Sequence, residues 1–134
     1  MSVIHLDDNV LSTLRDVMED EFPTLLEVFL KDSDERIVAL HQSLNPTDAA
    51  APAAQLPLPD LLALGLNAHS FKGSSSNMGA VHLADLCRQL EELARSPHPV
   101  ATPDLLASIQ AIESEYRLVR GLYEAERRLF AVRD

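Results

Sequence analysis

A histidine and a lysine, His69 and Lys72, lie three positions apart in the middle of the chain. A neutral imidazole is nucleophilic near pH 7, because its ordinary pKa is about 6.5, and a phosphoramidate formed on it is labile enough to pass the phosphoryl group on. On a helix, an ammonium group three residues later can reach an anion held on the ring and offset its charge. The pair is therefore suited to phosphoryl transfer.

Two glycines flank the histidine symmetrically, Gly65 four positions before it and Gly73 four positions after it. Each glycine costs about 1 kcal/mol relative to alanine inside a helix. A single surface histidine near a lysine is more often structural. Two helix-weakening glycines placed symmetrically around one titratable residue favour a functional role for that residue. We expect the glycines to clear space beside the ring for a phosphoryl group and for the backbone of a partner.

Residues 60–78 have the apolar period of an amphipathic helix, with a stripe that is expected to face a core: Leu61, Leu64, Ala68, Phe71, Ser75 and Met78. His69 falls about 120° or more from the centre of that stripe, at about 100° per residue. We therefore expect His69 to be exposed. Its outer face also carries Leu62, Leu66 and Ser76, and we interpret the unpaired leucines as a docking surface.

Other chemistry is weakly supported. The remaining histidines, at positions 5, 41, 82 and 98, form no HxxxH or HExxH pair, so no metal site is expected. The serine run 74–76 lacks a GxSxG elbow. No Gly-rich nucleotide loop occurs, so we expect no cofactor and no autophosphorylation from ATP. The phosphoryl group must come from a partner.

Composition limits the class of protein. The 134 residues fit one domain, 1–134, and 46% are apolar but only 4% aromatic, which favours helix packing. A net charge of −10 argues against nucleic acid or an anionic membrane as a partner. The single cysteine, Cys87, excludes an intrachain disulfide and is expected in the core. With no signal peptide and no apolar stretch of about 20 residues, we expect a cytoplasmic protein.

The pattern predicts five helices, over residues 7–19, 20–44, 60–77, 81–95 and 102–132. The Pro/Ala-rich stretch 46–59 carries four prolines and is interpreted as a linker inside the domain. Four long amphipathic helices without a strand signal predict an all-α, up-and-down antiparallel four-helix bundle, with the short N-terminal helix across one end.

The string AHSFKGSSSNMGA, residues 68–80, resembles the signature of histidine-phosphotransfer (HPt) domains. That signature is AHxxKG followed, after several small residues, by an apolar residue and glycine. Residues 18–36 are similar to the helix that precedes the motif in bacterial stand-alone members. The resemblance implies that His69 is phosphorylated, that Lys72 orients the phosphoryl group, that Gly73 must stay small, and that a four-helix bundle docks receiver domains.

The same resemblance implies a carrier rather than a kinase. His69 would accept a phosphoryl group from the receiver aspartate of a hybrid sensor kinase and give it to the aspartate of a response regulator, with Mg²⁺ on the partner receiver. We expect a monomer. The stretch 46–59 is longer than the usual connection in the family. Two alternatives stay open, a phosphoacceptor fragment of a larger kinase and a phosphate-independent helical adaptor that uses the same apolar face.

Overall fold

The fold was analysed in a computed structural model, which describes residues 3–45 and 58–132. It contains five α-helices and no strand within those ranges: α1 (Asp8–Met18), α2 (Phe22–Leu44), α3 (Leu61–Asn77), α4 (Val81–Ala94) and α5 (Thr102–Val132). A 3₁₀ turn, Glu19–Glu21, joins α1 to α2. The five predicted helices are confirmed, and their ends differ from the predicted ones by at most one or two residues. Most of the predicted linker, 46–57, lies outside the described residues.

Side-chain caps fix where two of the helices begin. The Asp7 carboxylate accepts a hydrogen bond from the Asn9 backbone N–H at 3.0 Å and so caps α1. Asp60 does the same for α3 by accepting from Ala63 N–H at 3.0 Å. Such caps each stabilise a helix by about 0.5–2 kcal/mol. The cap at Asp60 therefore helps to fix the register that places the side chains of α3.

Gly79 makes the tight turn between α3 and α4. Its φ is +80°, in the left-handed region that favours glycine. A Cβ at this position would also lie 3.1 Å from Val10 Cβ and 3.2 Å from the Asp7 carbonyl oxygen. The Gly79 carbonyl accepts a hydrogen bond from Asp7 N–H at 2.8 Å, which ties the N-terminal segment to this end of the bundle.

Neighbouring helices run antiparallel. The start of α3 meets the end of α2, where Asp60 N–H donates to the Ser43 carbonyl at 2.8 Å. Further along, Asn67 Nδ2 donates to the Arg36 carbonyl at 3.0 Å. Between α2 and α5, the Tyr116 hydroxyl donates to the Leu30 carbonyl at 2.8 Å. The chain is therefore an all-α bundle in which α2, α3, α4 and α5 pack in a ring, as predicted.

One core lies between the four long helices, and its largest fully buried side chains include Phe22, Leu26, Leu40, Leu64, Phe71, Leu83, Leu90, Ile109 and Tyr123. Burying a side chain of this size stabilises the fold by about 1.5–3 kcal/mol. Cys87 is also buried, as predicted, and burial raises the pKa of its thiol to about 12. None of the described helices is both long and apolar enough to cross a membrane.

The predicted core stripe of α3 is confirmed except at its first residue. Leu64, Ala68, Phe71, Ser75 and Met78 are buried. Leu61 is 43% exposed, so its assignment to the core was wrong. The reason is its place in the first turn of α3, beside the last turn of α2, where the described part of the ring of helices ends.

Candidate functional site

His69 lies on the outer face of α3, and its side chain is 58% exposed. The prediction that it points away from the core is confirmed. Leu62 and Leu66 on the same helix are 74% and 55% exposed, and Gly73 and Ser76 are exposed as well. Leu62, Leu66, Gly73 and Ser76 are therefore accessible, as predicted. Of the two residues predicted toward the edge of this face, Lys72 is partly exposed and Gly65 is buried.

The least expected member of the site is Glu91, a nearly buried carboxylate on α4 whose side chain is 8% exposed. Its Oε2 lies 2.7 Å from His69 Nδ1, and its Oε1 accepts a hydrogen bond from Lys72 Nζ at 2.7 Å. Arg95 Nη1 lies 2.8 Å from the same Oε2. One carboxylate thus binds three nitrogen groups, two from α3 and one from the end of α4.

Neither Glu91 nor Arg95 was predicted to belong to the site. The antiparallel packing of α3 on α4 brings them to His69 from a distant part of the sequence. One signal was available, because Glu91 falls one turn after Cys87, within the apolar stripe of α4. A charged residue in a core-facing stripe needs a partner, and that partner lies on another helix.

The charge state of Glu91 decides which nitrogen of His69 carries a hydrogen. The hydrogen bond from Lys72 holds the pKa of Glu91 below its ordinary value, and the His69 hydrogen bond and the Arg95 charge act in the same direction against the effect of burial. Glu91 is therefore ionised at neutral pH and can only accept. Nδ1 of His69 must then be the donor, which leaves the lone pair of the neutral ring on Nε2.

The lowered pKa of Glu91 predicts how stability depends on pH. A carboxyl group whose pKa is lower in the folded state contributes stability above its unfolded pKa, about 4.3, and loses it as the pH falls through the folded value. We expect Glu91→Gln to lower the Tm at pH 7 by about 3–5 °C, equivalent to about 1 kcal/mol, since its cationic partners are partly exposed. The difference should shrink as the pH is lowered from 5 to 3. Melting curves across this range test it, and a difference that does not change with pH would contradict the role of charge.

The two glycines differ in their surroundings. A Cβ added at Gly73 would meet nothing within 4 Å, so there is open space beside that position. At Gly65, which is buried, a Cβ would lie 3.5 Å from Cγ and Nε of Arg95 and 3.7 Å from Ala94 Cβ. The prediction of open space beside the ring is therefore wrong for Gly65, because the C-terminal end of α4 packs against it.

An open groove lies beside the imidazole between α3 and α4. It is lined by His69, Lys72, Arg88, Glu91, Glu92, Arg95, Ser96 and Pro97. Arg88 forms ion pairs with two residues of its own helix: its Nη2 lies 2.8 Å from Asp85 Oδ1, and its Nη1 lies 2.6 Å from Glu92 Oε1. A group attached to the exposed ring of His69 would thus enter a groove that several cations border.

The remaining histidines are not as isolated as their spacing suggested. Folding brings the rings of His5 and His82 to a centroid distance of 6.1 Å, and His5 Nδ1 lies 2.7 Å from Oε2 of the buried Glu115. His41 Nε2 lies 3.4 Å from Glu113. Within residues 3–45 and 58–132, no group of three or more such side chains is arranged to hold a metal ion.

Comparisons with known proteins identify the family and agree with the fold. A family model described as Hpt domain matches residues 24–127. The chain is 46% identical to histidine-containing phosphotransfer protein B (HptB) from Pseudomonas aeruginosa PAO1, and the match has a TM-score of 0.77 and covers 95% of this chain and 97% of that one. A putative histidine-containing phosphotransfer protein from rice shares the fold, with a TM-score of 0.76 at 16% identity over 95% of this chain and 82% of that one. The comparison with curated protein sequences found no match.

Proposed function

The chain belongs to the Hpt domain family, and on that premise we propose that it is a phosphorelay intermediate in two-component signalling. In this proposal His69 accepts a phosphoryl group from the receiver aspartate of a hybrid sensor kinase and passes it to the aspartate of a response regulator. The observation that carries the proposal is the exposed ring of His69, whose Nδ1 is held by the ionised Glu91 while Nε2 keeps its lone pair.

The contact with Glu91 allows transfer without a proton having to leave the ring. The Nε2 lone pair attacks the phosphorus of the aspartyl phosphate, the Nε2–P bond forms, and the P–O bond breaks to release the aspartate carboxylate. The ring then carries a positive charge. Its Nδ1–H remains bonded to the ring and donates a hydrogen bond to the Glu91 carboxylate, which stabilises that charge. In the reverse step the N–P bond breaks and its electron pair returns to Nε2.

Lys72 is proposed to bind the phosphoryl oxygens during transfer. Its ammonium group donates a hydrogen bond to Glu91, the carboxylate that also contacts the ring of His69. The Lys72 side chain is 32% exposed. We expect Lys72→Ala to keep the fold and to slow transfer by roughly tenfold, because a partly exposed cation contributes less than a buried one. A transfer time course at physiological salt, beside a melting curve, measures both. Transfer at the wild-type rate would show that the lysine serves only to pair with Glu91.

The exposed face of α3 is proposed to dock the receiver. Leu62 and Leu66 expose apolar area that no part of the described chain covers. On the other side of His69, Gly73 has no side chain and Ser76 a small one, so a partner's backbone can come close to the helix there. We propose that the chain acts in the cytoplasm as a monomeric carrier without a cofactor of its own. The aspartyl phosphate and the Mg²⁺ of the partner receiver would supply the remaining chemistry.

The test is incubation of the purified protein with a phosphorylated receiver domain, followed by gel analysis of the label after acid and after alkali. Label that is lost in acid and kept in alkali indicates a phosphoramidate and supports the proposal. Absence of any label would favour the phosphate-independent adaptor instead. A parallel incubation with ATP alone should give no label, and label in that sample would contradict a carrier without kinase activity.

A further inference from the structure

Arg95 is placed where it can reach a group on His69. It follows the last residue of α4, and its side chain crosses onto α3, with Cγ and Nε 3.5 Å from the point where a Cβ of Gly65 would stand. Its Nη1 lies 2.8 Å from Glu91 Oε2, the oxygen that also contacts His69 Nδ1. The guanidinium and the imidazole therefore contact the same carboxylate oxygen, and both line the same groove.

The charges around Glu91 do not cancel. Its single negative charge is in contact with two cations, Lys72 and Arg95, so the cluster carries one positive charge while His69 is neutral. Arg88 borders the same groove, but it is paired with two carboxylates of its own helix, Asp85 and Glu92, so that group carries a net negative charge and adds nothing to the positive charge of the cluster around Glu91. The surplus positive charge thus lies beside the ring, where a phosphoryl group would bring a charge of about −1.5 to −2.

Arg95 also has hydrogen-bond donors to spare. A guanidinium carries five N–H donors in a rigid fork that suits phosphate oxygens. Among the described residues, the polar contact of its side chain is the one from Nη1 to Glu91. Its side chain is 53% exposed, so the remaining donors are accessible from the groove.

From these observations we propose that Arg95 is a second phosphoryl-binding residue, which contacts the phosphoryl oxygens on His69 Nε2 from α4 while Lys72 contacts them from α3. The proposal rests on the proposed function of His69.

The test uses phosphoramidate as a small phosphodonor, so that docking of a receiver does not enter the result. Nε2 forms a bond to phosphorus, the P–N bond of phosphoramidate breaks, and ammonia leaves after taking a proton from water. The first-order loss of phosphohistidine is then followed by ³¹P NMR. A guanidinium that donates hydrogen bonds to the oxygens of the phosphohistidine stabilises that bound dianion, so hydrolysis should be slower while the contact is present.

We therefore expect Arg95→Gln to shorten the half-life of the phosphohistidine by roughly two- to fivefold, the range for an exposed ion pair. Arg95→Lys, which keeps the charge, should restore much of the lost half-life. Arg117→Gln is the matched control, since it removes the same charge and, like Arg95, an arginine paired with the glutamate four residues before it, but on α5 and outside the groove, and it should leave the half-life unchanged. An Arg95→Gln half-life equal to that of the wild type would overturn the proposal.

A second measurement is made on the wild-type protein, so that its result does not depend on how a variant folds. In ¹⁵N-labelled wild-type protein, the Nε–H signal of Arg95, assigned by its absence in Arg95→Lys, should move on phosphorylation and exchange more slowly with water. A signal that stays in place would overturn the proposal even if the half-life changed. If phosphoramidate labels the wild-type protein but Arg95 does not respond, this inference alone fails. If neither phosphoramidate nor a phosphorylated receiver labels His69, the proposed function fails with it.

Discussion

His69→Gln is expected to abolish phosphoryl acceptance entirely while the helical bundle stays folded. Glutamine has no nucleophilic nitrogen with a free lone pair, whereas in the proposed reaction Nε2 of His69 forms the bond to phosphorus. The side chain is 58% exposed and lies off the core stripe, so the substitution removes no core packing. Its main structural cost is the contact with Glu91, for which we expect at most about 1 kcal/mol.

The measurement combines labelling by a phosphorylated receiver with circular dichroism and a melting curve on the same preparation. His98→Gln makes the same change of side chain at an exposed position in the loop between α4 and α5, and it should be labelled like the wild type. Equal labelling of His69→Gln would exclude His69 as the acceptor. A loss of helicity would instead show that His69 has a structural role.

Replacement of Gly73 should separate stability from activity. Because a Cβ at this position meets nothing within 4 Å, the folded protein tolerates a side chain there. Gly73→Ala should stabilise the helix by about 0.5–1 kcal/mol, and Gly73→Gln should leave the Tm unchanged or slightly higher. If the space admits the phosphoryl group and the receiver backbone, Gly73→Gln should nevertheless slow transfer by about 100-fold, the cost of a misplacement of about 1 Å.

Gly121 provides a matched control for Gly73. It lies inside α5, it is exposed, and a Cβ there also meets nothing within 4 Å. Gly121→Gln should therefore change the Tm by the same amount as Gly73→Gln and leave transfer at the wild-type rate. Leu62→Gln, which weakens docking without narrowing the space beside the ring, separates the two effects on the outer face. Transfer by Gly73→Gln at the wild-type rate would remove the steric argument.

The sequence by itself determined the properties that depend on neighbours along the chain. The helix ends follow from caps and prolines such as Asp60 and Pro23, and the exposure of His69 follows from the helical period, which places it away from Leu64, Ala68 and Phe71. The motif around His69 also indicated the family. These properties are local, because a residue's face on a helix is set by its position relative to residues within two turns.

The tertiary structure alone decided which side chains meet across the helices. It brought Glu91 and Arg95 of α4 to His69, filled the space at Gly65, and left Leu61 exposed at the end of the ring. Such contacts depend on which helices are neighbours, on their antiparallel register and on where each helix ends, and helical periodicity carries none of this information. The pairing of Glu91 with His69, and with it the assignment of the free lone pair of the neutral ring to Nε2, therefore comes from packing between helices.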